Sequence, residues 1–299
     1  MGEKLFSKNE VIFRQGDWGS EFYQVLQGKV RICYDLGEET ELILTEVGAG
    51  GFFGEMAIIE NYPRSATAIA LEDGTKLQVI GPEETAGYLE ADPEKALMLM
   101  EHISDRLREL TKDYNEAGSI LAQIKNGEDV TKSGSSAQNL ARHRAYGKAC
   151  YRFENKESEE VRKAWTSSAR DNGYSKNVFS YPEGTVLFKE GETGSCMYEI
   201  HQGNVGIYKG FGTPKEQLLT TLDINSFFGE MGMITKEPRS ATAITLDKKT
   251  VIEVIYPEDL KEIFVNNPPK AGMIIGHLSN RLRILTKDYA DVCMKLVQS

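Results

Sequence analysis

The chain contains two copies of one sequence unit. Shifted by 175 residues, the 299-residue sequence aligns with itself without a gap, and 46 of the 102 positions from Phe13 to Tyr114 are identical in the second copy. A repeat of this length indicates two copies of one domain, each long enough to bury a core. We therefore predict a first domain at residues 1–125, a connector at 126–176 and a second domain at 177–299.

Each unit begins with short apolar segments separated by glycines, and a longer helical segment follows. Many short strands with glycine turns are typical of a β-sandwich or barrel. A helix is predicted from about Pro93, since proline is well tolerated in the first helical turn. The predicted strands of the first unit are 11–13, 22–26, 30–32, 42–44, 66–71 and 77–80.

Both long helices carry apolar residues spaced alternately by four and three. This spacing is a heptad seam, which favours helix–helix pairing over packing on the helix's own domain. The two seams could pair within one chain, or between two chains of a homodimer. The seams are Ile103, Leu107, Leu110, Tyr114, Ala117, Leu121 and Ile124, and Leu278, Leu282, Leu285, Tyr289, Val292 and Leu296.

The connector is predicted to contain a loop and two helices. Residues 126–136 are rich in glycine, serine and asparagine, which favours a loop. Residues 137–153 and 158–169 have helical character, and Ser158 is a suitable N-cap.

A 15-residue block within the strands carries the chemistry of each unit. In the first block, 53–67, Gly54 permits a tight turn and Glu55 begins a predicted short helical turn. Arg64 follows nine residues later with a guanidinium suited to a phosphate, and Ser65 adds a hydroxyl. The second block, 228–242, repeats the pattern. A carboxylate, an arginine and a helix N-terminus together suit a ligand with one phosphate charge and a free sugar hydroxyl.

These blocks resemble the phosphate-binding cassette of cyclic nucleotide-binding domains. Such domains occur in the bacterial catabolite activator protein, in regulatory subunits of cAMP-dependent protein kinase and in cyclic-nucleotide-gated channels. The match runs from F-G-E-M to P-R-S-A-T in both copies. The resemblance implies a mainly β fold with helices: two tandem jelly-roll barrels, each followed by a long C-terminal helix.

The resemblance also implies roles for individual residues. Glutamate would bind the ribose 2′-hydroxyl, arginine the cyclic phosphate, and serine a phosphate oxygen or the purine. The backbone N–H of Ala57 or Gly232 would complete the phosphate cradle, and a threonine of the long helix would reach the base. The serine at this position does not decide whether the ligand is cAMP or cGMP. The implied ligand-binding residues are Gly54, Glu55, Met56, Ala57, Arg64, Ser65 and Thr111 in the first unit, and Gly229, Glu230, Met231, Gly232, Arg239, Ser240 and Thr286 in the second.

Composition and motifs exclude several other functions. The net charge of −10 argues against a general nucleic-acid binder, and no apolar run reaches the ~20 residues of a membrane span. The N-terminus lacks an apolar signal region and the cysteines form no C-x-x-C pair, so we expect a cytoplasmic protein without a metal site. We find no catalytic motif and expect no enzyme activity and no cofactor. His102 and His277 are interpreted as surface or capping residues, and Trp18 and Trp165 as packing residues.

The sequence therefore predicts a cytosolic cyclic-nucleotide receptor with two tandem sites, signalling through its long helices to a protein effector. One alternative is an activator-like transcription regulator lacking the usual helix-turn-helix. Residues 138–176 hold nine basic and five acidic residues, which is thin support for DNA binding. Another alternative is a ligand-unresponsive dimerisation scaffold. A gel shift would test the first alternative, and a pull-down with and without ligand the second.

Overall fold

The computed structural model describes residues 2–38, 41–55, 62–127, 130, 134–151 and 175–299. Within them the fold is mainly β with helices, in two tandem copies, as the sequence predicts. The chain forms two compact units. The first takes its described residues from 1–92, 98–169 and 278–299, and the second from 93–97 and 170–277.

The strands of the first repeat form two four-stranded antiparallel sheets. Their orders are β1-β10-β4-β7 and β2-β9-β5-β6, and β3 pairs separately with β8. This two-sheet arrangement is that of a jelly roll. The strands are β1 (Gly2–Phe6), β2 (Val11–Phe13), β3 (Trp18–Gly19), β4 (Phe22–Gln27), β5 (Lys29–Tyr34), β6 (Leu42–Gly48), β7 (Phe52–Phe53), β8 (Tyr62–Pro63), β9 (Thr67–Ala70) and β10 (Thr75–Ile80).

The second repeat reproduces these sheets in the same order. Its sheets are β11-β18-β13-β16 and β12-β17-β14-β15, again antiparallel throughout. The strands are β11 (Val178–Tyr181), β12 (Val186–Phe188), β13 (Met197–Gln202), β14 (Val205–Lys209), β15 (Gln217–Leu222), β16 (Phe227–Phe228), β17 (Thr242–Thr245) and β18 (Thr250–Ile255).

The start of one helix was predicted correctly, and several other elements were not predicted. The first long helix begins at Pro93, as expected, while α1, α5 and strand β1 were not predicted. In α1, Pro82 occupies the first turn and the Glu84 carboxylate accepts a hydrogen bond from the Gly81 N–H, which fixes the helix start. The helices are α1 (Pro82–Ala91), α2 (Pro93–Lys125), α3 (Gly134–Tyr151), α4 (Glu230–Thr235), α5 (Leu260–Asn266) and α6 (Pro268–Gln298).

The core between the sheets of each repeat is built on a stack of three aromatic rings. In the first, Tyr23 stacks on Phe53 with ring centroids 5.0 Å apart, and Phe13 lies 5.7 Å from Tyr23. In the second, Tyr198 stacks on Phe228 at 5.1 Å. Aromatic rings bury large apolar areas, so these stacks are major contributors to each core.

Residues of both heptad seams lie in one apolar cluster of the first unit. Ala117 and Leu121 of α2 belong to the same apolar cluster as Tyr289 and Leu296 of α6. The cluster also contains residues of the first repeat's sheets, so the seam is part of a larger core. Both predicted pairings of the seams, within one chain and between two chains, stay predictions.

The connector helix α3 packs against both long helices. The buried His143 contacts the Tyr289 hydroxyl of α6 at 2.7 Å through Nδ1 and Glu116 of α2 at 3.1 Å through Nε2. At Gly147, a Cβ atom would lie 2.5 Å from the Cys293 carbonyl oxygen, so only glycine permits this approach of α3 to α6.

The bounds of α3 can be compared with the loop and helix predicted for the connector. The predicted loop at 126–136 extends too far, because α3 already begins at Gly134. The predicted helix at 137–153 is present as far as Tyr151, and the one at 158–169 lies outside the described residues. In the described part of the chain, no helix combines the length and the apolar character needed to cross a bilayer.

Candidate functional site

The cassette of each repeat starts at a glycine that no other residue would replace without strain. Gly54 and Gly229 both have φ of 75°, in the left-handed region. In the second repeat, Gly229 is the N-cap of α4, which confirms the predicted short helical turn after the glutamate. Met231 and Gly232 lie in this turn, whereas Met56 and Ala57 lie outside the described residues.

The Arg64 guanidinium is buried against an aromatic ring. Its Cζ lies 4.4 Å from the Phe13 ring centroid and 5.7 Å from that of Tyr23, which places the charge in a cation–π contact. The Arg64 backbone is fixed by its N–H, which donates to the Asp17 carbonyl at 2.7 Å. A Cβ on Gly19 would lie 2.6 Å from Arg64 Nη2, so the neighbouring glycine makes room for the guanidinium.

Arg239 has the same setting in the second repeat. Its Cζ lies 4.4 Å from the Phe188 ring and 5.7 Å from the Tyr198 ring. Nη2 donates to the Cys196 carbonyl at 2.8 Å, and Nη1 donates to the Gly229 carbonyl. A Cβ on Gly194 would overlap the guanidinium.

Each buried arginine keeps a nitrogen without a hydrogen-bond partner among the described residues. The nitrogens are Arg64 Nη1 and Arg239 Nε. Burial lowers the pKa of Arg64, while Tyr23 and the nearby carboxylates, Glu21 first among them, oppose that shift. A buried cation with an unused donor is costly unless an anion pairs with it, so the arrangement favours an anionic ligand.

The cassette glutamate of each repeat is also buried and faces the long helix. In the first repeat, Glu55 Oε1 lies 3.8 Å from Arg106 Nη1, and Oε2 lies 4.0 Å from His102 Nε2. In the second, Glu230 Oε2 lies 3.5 Å from His277 Nε2. Burial lowers the pKa of His102, and Glu55 opposes the shift, so this imidazole is neutral at pH 7.

The interpretation of the two histidines as surface or capping residues is therefore wrong. Both side chains are about one-fifth exposed and lie beside a cassette glutamate. The interpretation of Trp18 as a packing residue is also wrong, since it is 60% exposed on β3, where it pairs with Pro63. Trp165 lies outside the described residues.

Sequence reasoning missed the residues that shape the site from a distance in the chain. Gly19, His102 and Arg106 were not selected, although each is identical in the second copy. The repeat was thus the signal that could have identified them. Identity shows that a position was kept, but only the fold shows that it lies beside the cassette.

The predicted serines and threonines have mixed positions. Ser65 and Ser240 are exposed next to the cassette arginines. The Thr111 hydroxyl donates to the Leu107 carbonyl and the Thr286 hydroxyl to the Leu282 carbonyl, both at 2.7 Å. Each threonine is therefore bonded within its own helix, and its contact with a base stays a prediction.

The second unit contains a further buried polar cluster, formed by Glu199, His201, Glu253 and Lys270. The carboxylates and imidazole lie close enough to hold a metal ion. Lys270 Nζ, however, lies 2.9 Å from Glu199 and 2.6 Å from Glu253. His201 Nε2 lies 3.1 Å from Glu253. The ammonium group supplies the positive charge, so the geometry is that of an ion-pair cluster.

Comparison with known proteins assigns the chain to a family. The cyclic nucleotide-binding domain model matches residues 3–92 and 178–267, together more than half of the chain. The chain belongs to this family, and both matches contain a complete cassette. The resemblance read from the sequence is thereby confirmed, as is its tandem arrangement.

Several curated proteins are similar to this chain. A cAMP-dependent protein kinase regulatory subunit of Blastocladiella emersonii is 26% identical over 242 residues, covering 81% of this chain and 47% of that protein. A cyclic AMP receptor protein of Thermus thermophilus is 36% identical over 106 residues, 36% of this chain and 49% of that protein. A cGMP-dependent protein kinase of Drosophila melanogaster is 22% identical, covering 99% of this chain and 30% of that protein. The chain spans about half the length of the curated relatives it matches.

This chain is also similar to several solved structures. The regulatory domain of Toxoplasma gondii PKA with cAMP is 18% identical, covers 95% of this chain and 84% of that chain, and has a TM-score of 0.28. The Thermus thermophilus catabolite activator protein is 27% identical, covers 50% and 79%, and has a TM-score of 0.32. Both scores are low, and the family assignment rests on the sequence match.

Proposed function

We propose that the chain is a cyclic-nucleotide receptor with two binding sites, one in each repeat. The observation that carries the proposal is the buried arginine on an aromatic face, with an unused N–H donor, present twice. A cyclic nucleotide carries one anionic phosphate, whose oxygens can accept the hydrogen bond that this N–H does not otherwise make.

The roles proposed for the cassette residues follow from their chemistry. Arg64 and Arg239 neutralise the cyclic phosphate, and Ser65 and Ser240 lie beside them to donate to its oxygens. Gly54, Met56 and Ala57, with Gly229, Met231 and Gly232, bring backbone N–H groups to the phosphate. Glu55 and Glu230 accept a hydrogen bond from the ribose 2′-hydroxyl, because an ionised carboxylate offers only acceptors. Thr111 and Thr286 remain the residues proposed for the base.

The output that we propose is movement of the long helices, passed to a protein effector. A ligand shifts a conformational equilibrium only by binding one state better, and each cassette glutamate lies against its long helix. Three relatives are named as regulatory subunits of cAMP-dependent protein kinase, which supports a regulatory role toward a partner enzyme. We propose that the chain itself is non-catalytic, needs no cofactor and acts in the cytoplasm. Nucleic acid is not among the proposed partners, given the net charge of −10.

Calorimetry with cAMP and with cGMP tests the proposal. Wild type should bind at two sites, Arg64→Ala and Arg239→Ala at one site each, and the double variant at neither. Losing a charged hydrogen-bond donor to a buried phosphate should weaken a site at least tenfold, about 1.5–3 kcal/mol. Arg31→Ala, which removes an arginine paired with Glu46 on β5 and β6, is the control and should retain both sites. Absence of binding by wild type to either nucleotide would overturn the proposal.

A further inference from the structure

The two sites differ at one position beside the phosphate arginine. Glu21 and Cys196 are equivalent in the repeat, and each directly precedes a strand, β4 or β13. In the first unit, Glu21 Oε2 lies 3.3 Å from Arg64 Nη2. In the second, Arg239 Nη2 donates to the Cys196 carbonyl at 2.8 Å and lies 3.7 Å from its thiol sulfur.

Several other features around the two arginines are the same. The ring distances are 4.4 and 5.7 Å in both units, and each site has its cassette glutamate. An acidic residue also follows the glycine of the first turn in both, as Asp17 and Glu192, and each accepts the backbone N–H of its cassette arginine through its carbonyl. The carboxylate of Glu21 is thus an additional negative charge beside Arg64. The equivalent position beside Arg239 holds Cys196, whose neutral carbonyl accepts the hydrogen bond.

We propose that Glu21 weakens the affinity of the first site for a phosphate ligand. This inference rests on the proposed function above. The Glu21 carboxylate lies 3.3 Å from Arg64 Nη2, and its negative charge repels a phosphate bound to that arginine. Cys196 places no carboxylate there. Glu21 therefore lowers the affinity of the first site through a charge that the second site lacks at the equivalent position.

The size of the expected change in affinity depends on the solvent exposure of the Glu21 side chain. The Glu21 side chain is 45% exposed and can turn into water when a ligand arrives. An ion pair with one exposed partner changes an affinity modestly, about three- to fivefold. The effect should also decrease with added salt, since the Debye length falls to about 3 Å at 1 M.

The experiment measures each site separately and exchanges the charge. Glu21→Gln is made in an Arg239→Ala chain, so that only the first site binds, and Cys196→Glu is made in an Arg64→Ala chain. Calorimetry with cAMP and cGMP at 50 mM and 1 M salt should show Glu21→Gln binding about three- to fivefold tighter at low salt, with the gap closing at high salt. Cys196→Glu should weaken the second site by a similar factor. Glu38→Gln, at an exposed turn, is the control and should leave the first site unchanged.

The outcomes separate this inference from the function on which it rests. Failure of wild type to bind either nucleotide overturns both. If wild type binds but Glu21→Gln leaves the first site unchanged or weaker, the inference alone fails. Because Cys196 is buried and a glutamate there could prevent folding, thermal unfolding of that variant is recorded, and the Glu21→Gln result decides by itself.

Discussion

A buried guanidinium lies in each repeat in a space that only glycine leaves open. Gly19 and Gly194 occupy equivalent positions, and a single added methyl group would collide with the arginine in either case. The arginine cannot move aside easily, since it lies on an aromatic ring and its backbone is hydrogen-bonded on both sides. At the residue scale, the guanidinium can occupy its position because Gly19 and Gly194 have no Cβ atom.

This predicts that Gly194→Ala impairs the second site. The new Cβ would overlap the Arg239 guanidinium and force it off the Phe188 ring, so nucleotide affinity at that site should fall about tenfold or more. Calorimetry in an Arg64→Ala chain measures it. Gly118→Ala is the control, because a Cβ there meets nothing within 4 Å; it should leave binding intact and stabilise α2 by up to ~1 kcal/mol. Equal affinity of Gly194→Ala and wild type would contradict the steric argument.

The sequence predicted the cassette residues but not their neighbours. Glu55 and Arg64 belong to one motif, so local spacing was enough to select them. Glu21 lies 43 residues from Arg64 along the chain, and His102 lies on another element from Glu55. No local pattern brings such residues together, because their proximity depends on the pairing of strands and the course of the helix.

At the scale of elements, an ion-pair cluster joins the start of α6 to the sheet of the second repeat. Glu199 lies on β13, Glu253 on β18 and Lys270 on α6, all buried. The first repeat has Gln24 and Gln78 at the equivalent strand positions and Lys95 on α2. The two long helices thus start differently, because carboxylates face Lys270 where the equivalent strand positions of the first repeat hold amides.

Lys270→Met should therefore destabilise the second unit. Removal of the ammonium leaves two buried carboxylates with His201 as the one cationic side chain paired with them in the described part of the chain, and breaking a buried pair in this way costs about 3–5 kcal/mol. Thermal unfolding followed by circular dichroism should show Tm lower by at least ~5 °C. The repeat-matched control Lys95→Met should change Tm by less than half as much. Similar losses for the two variants would show that the cluster is unimportant.

The same cluster predicts a pH dependence with a definite sign. Hydrogen bonds to Glu199 and Glu253 raise the pKa of His201 from 6.5 to about 9. Burial of Glu253 would raise its pKa, but hydrogen bonds from His201 and Lys270 outweigh it and lower the value from 4.5 to about 2. The stability from His201 is complete below about pH 6.5 and is lost as pH rises through 9, while that from Glu253 is complete above about 4.5 and is lost as pH falls toward 2.

The measurement compares Tm of wild type and His201→Gln between pH 5 and 10. The advantage of wild type should be largest near pH 5–6.5 and should disappear by about pH 10. An advantage that grows with pH would contradict the assignment of a protonated His201.

Elements with a regular pattern were predicted, and those without one were not. Strand β2 and helix α2 begin where their apolar spacing and Pro93 indicate. Strand β1 was missed because its residues, from Gly2 to Leu5, are all exposed, and an exposed strand has no alternation to detect. Helix α1 has a weakly amphipathic sequence, and its start depends on a cap formed between Gly81 and Glu84.

At the scale of the whole molecule, the seams of α2 and α6 are already covered within one chain. Tyr289, Cys293 and Leu296 share a core with Ala117 and Leu121, and α3 packs beside them. A helix whose apolar stripe is buried in this way has little left to offer a second copy.

The chain should therefore be a monomer in solution. Light scattering should give about 33 kDa at micromolar concentration, with and without cyclic nucleotide. A mass near twice this value would favour the chain-to-chain pairing that the sequence left open.

The division of α6 between the two units has a consequence for the order of folding. Residues up to His277 belong to the second unit, and those from Leu278 onward belong to the first. During synthesis, the sheets of the first repeat leave the ribosome early, but Tyr289, Cys293 and Leu296, which complete their core, emerge only after the sheets of the second repeat. Part of the apolar surface of the first repeat therefore stays uncovered until α6 has been synthesised.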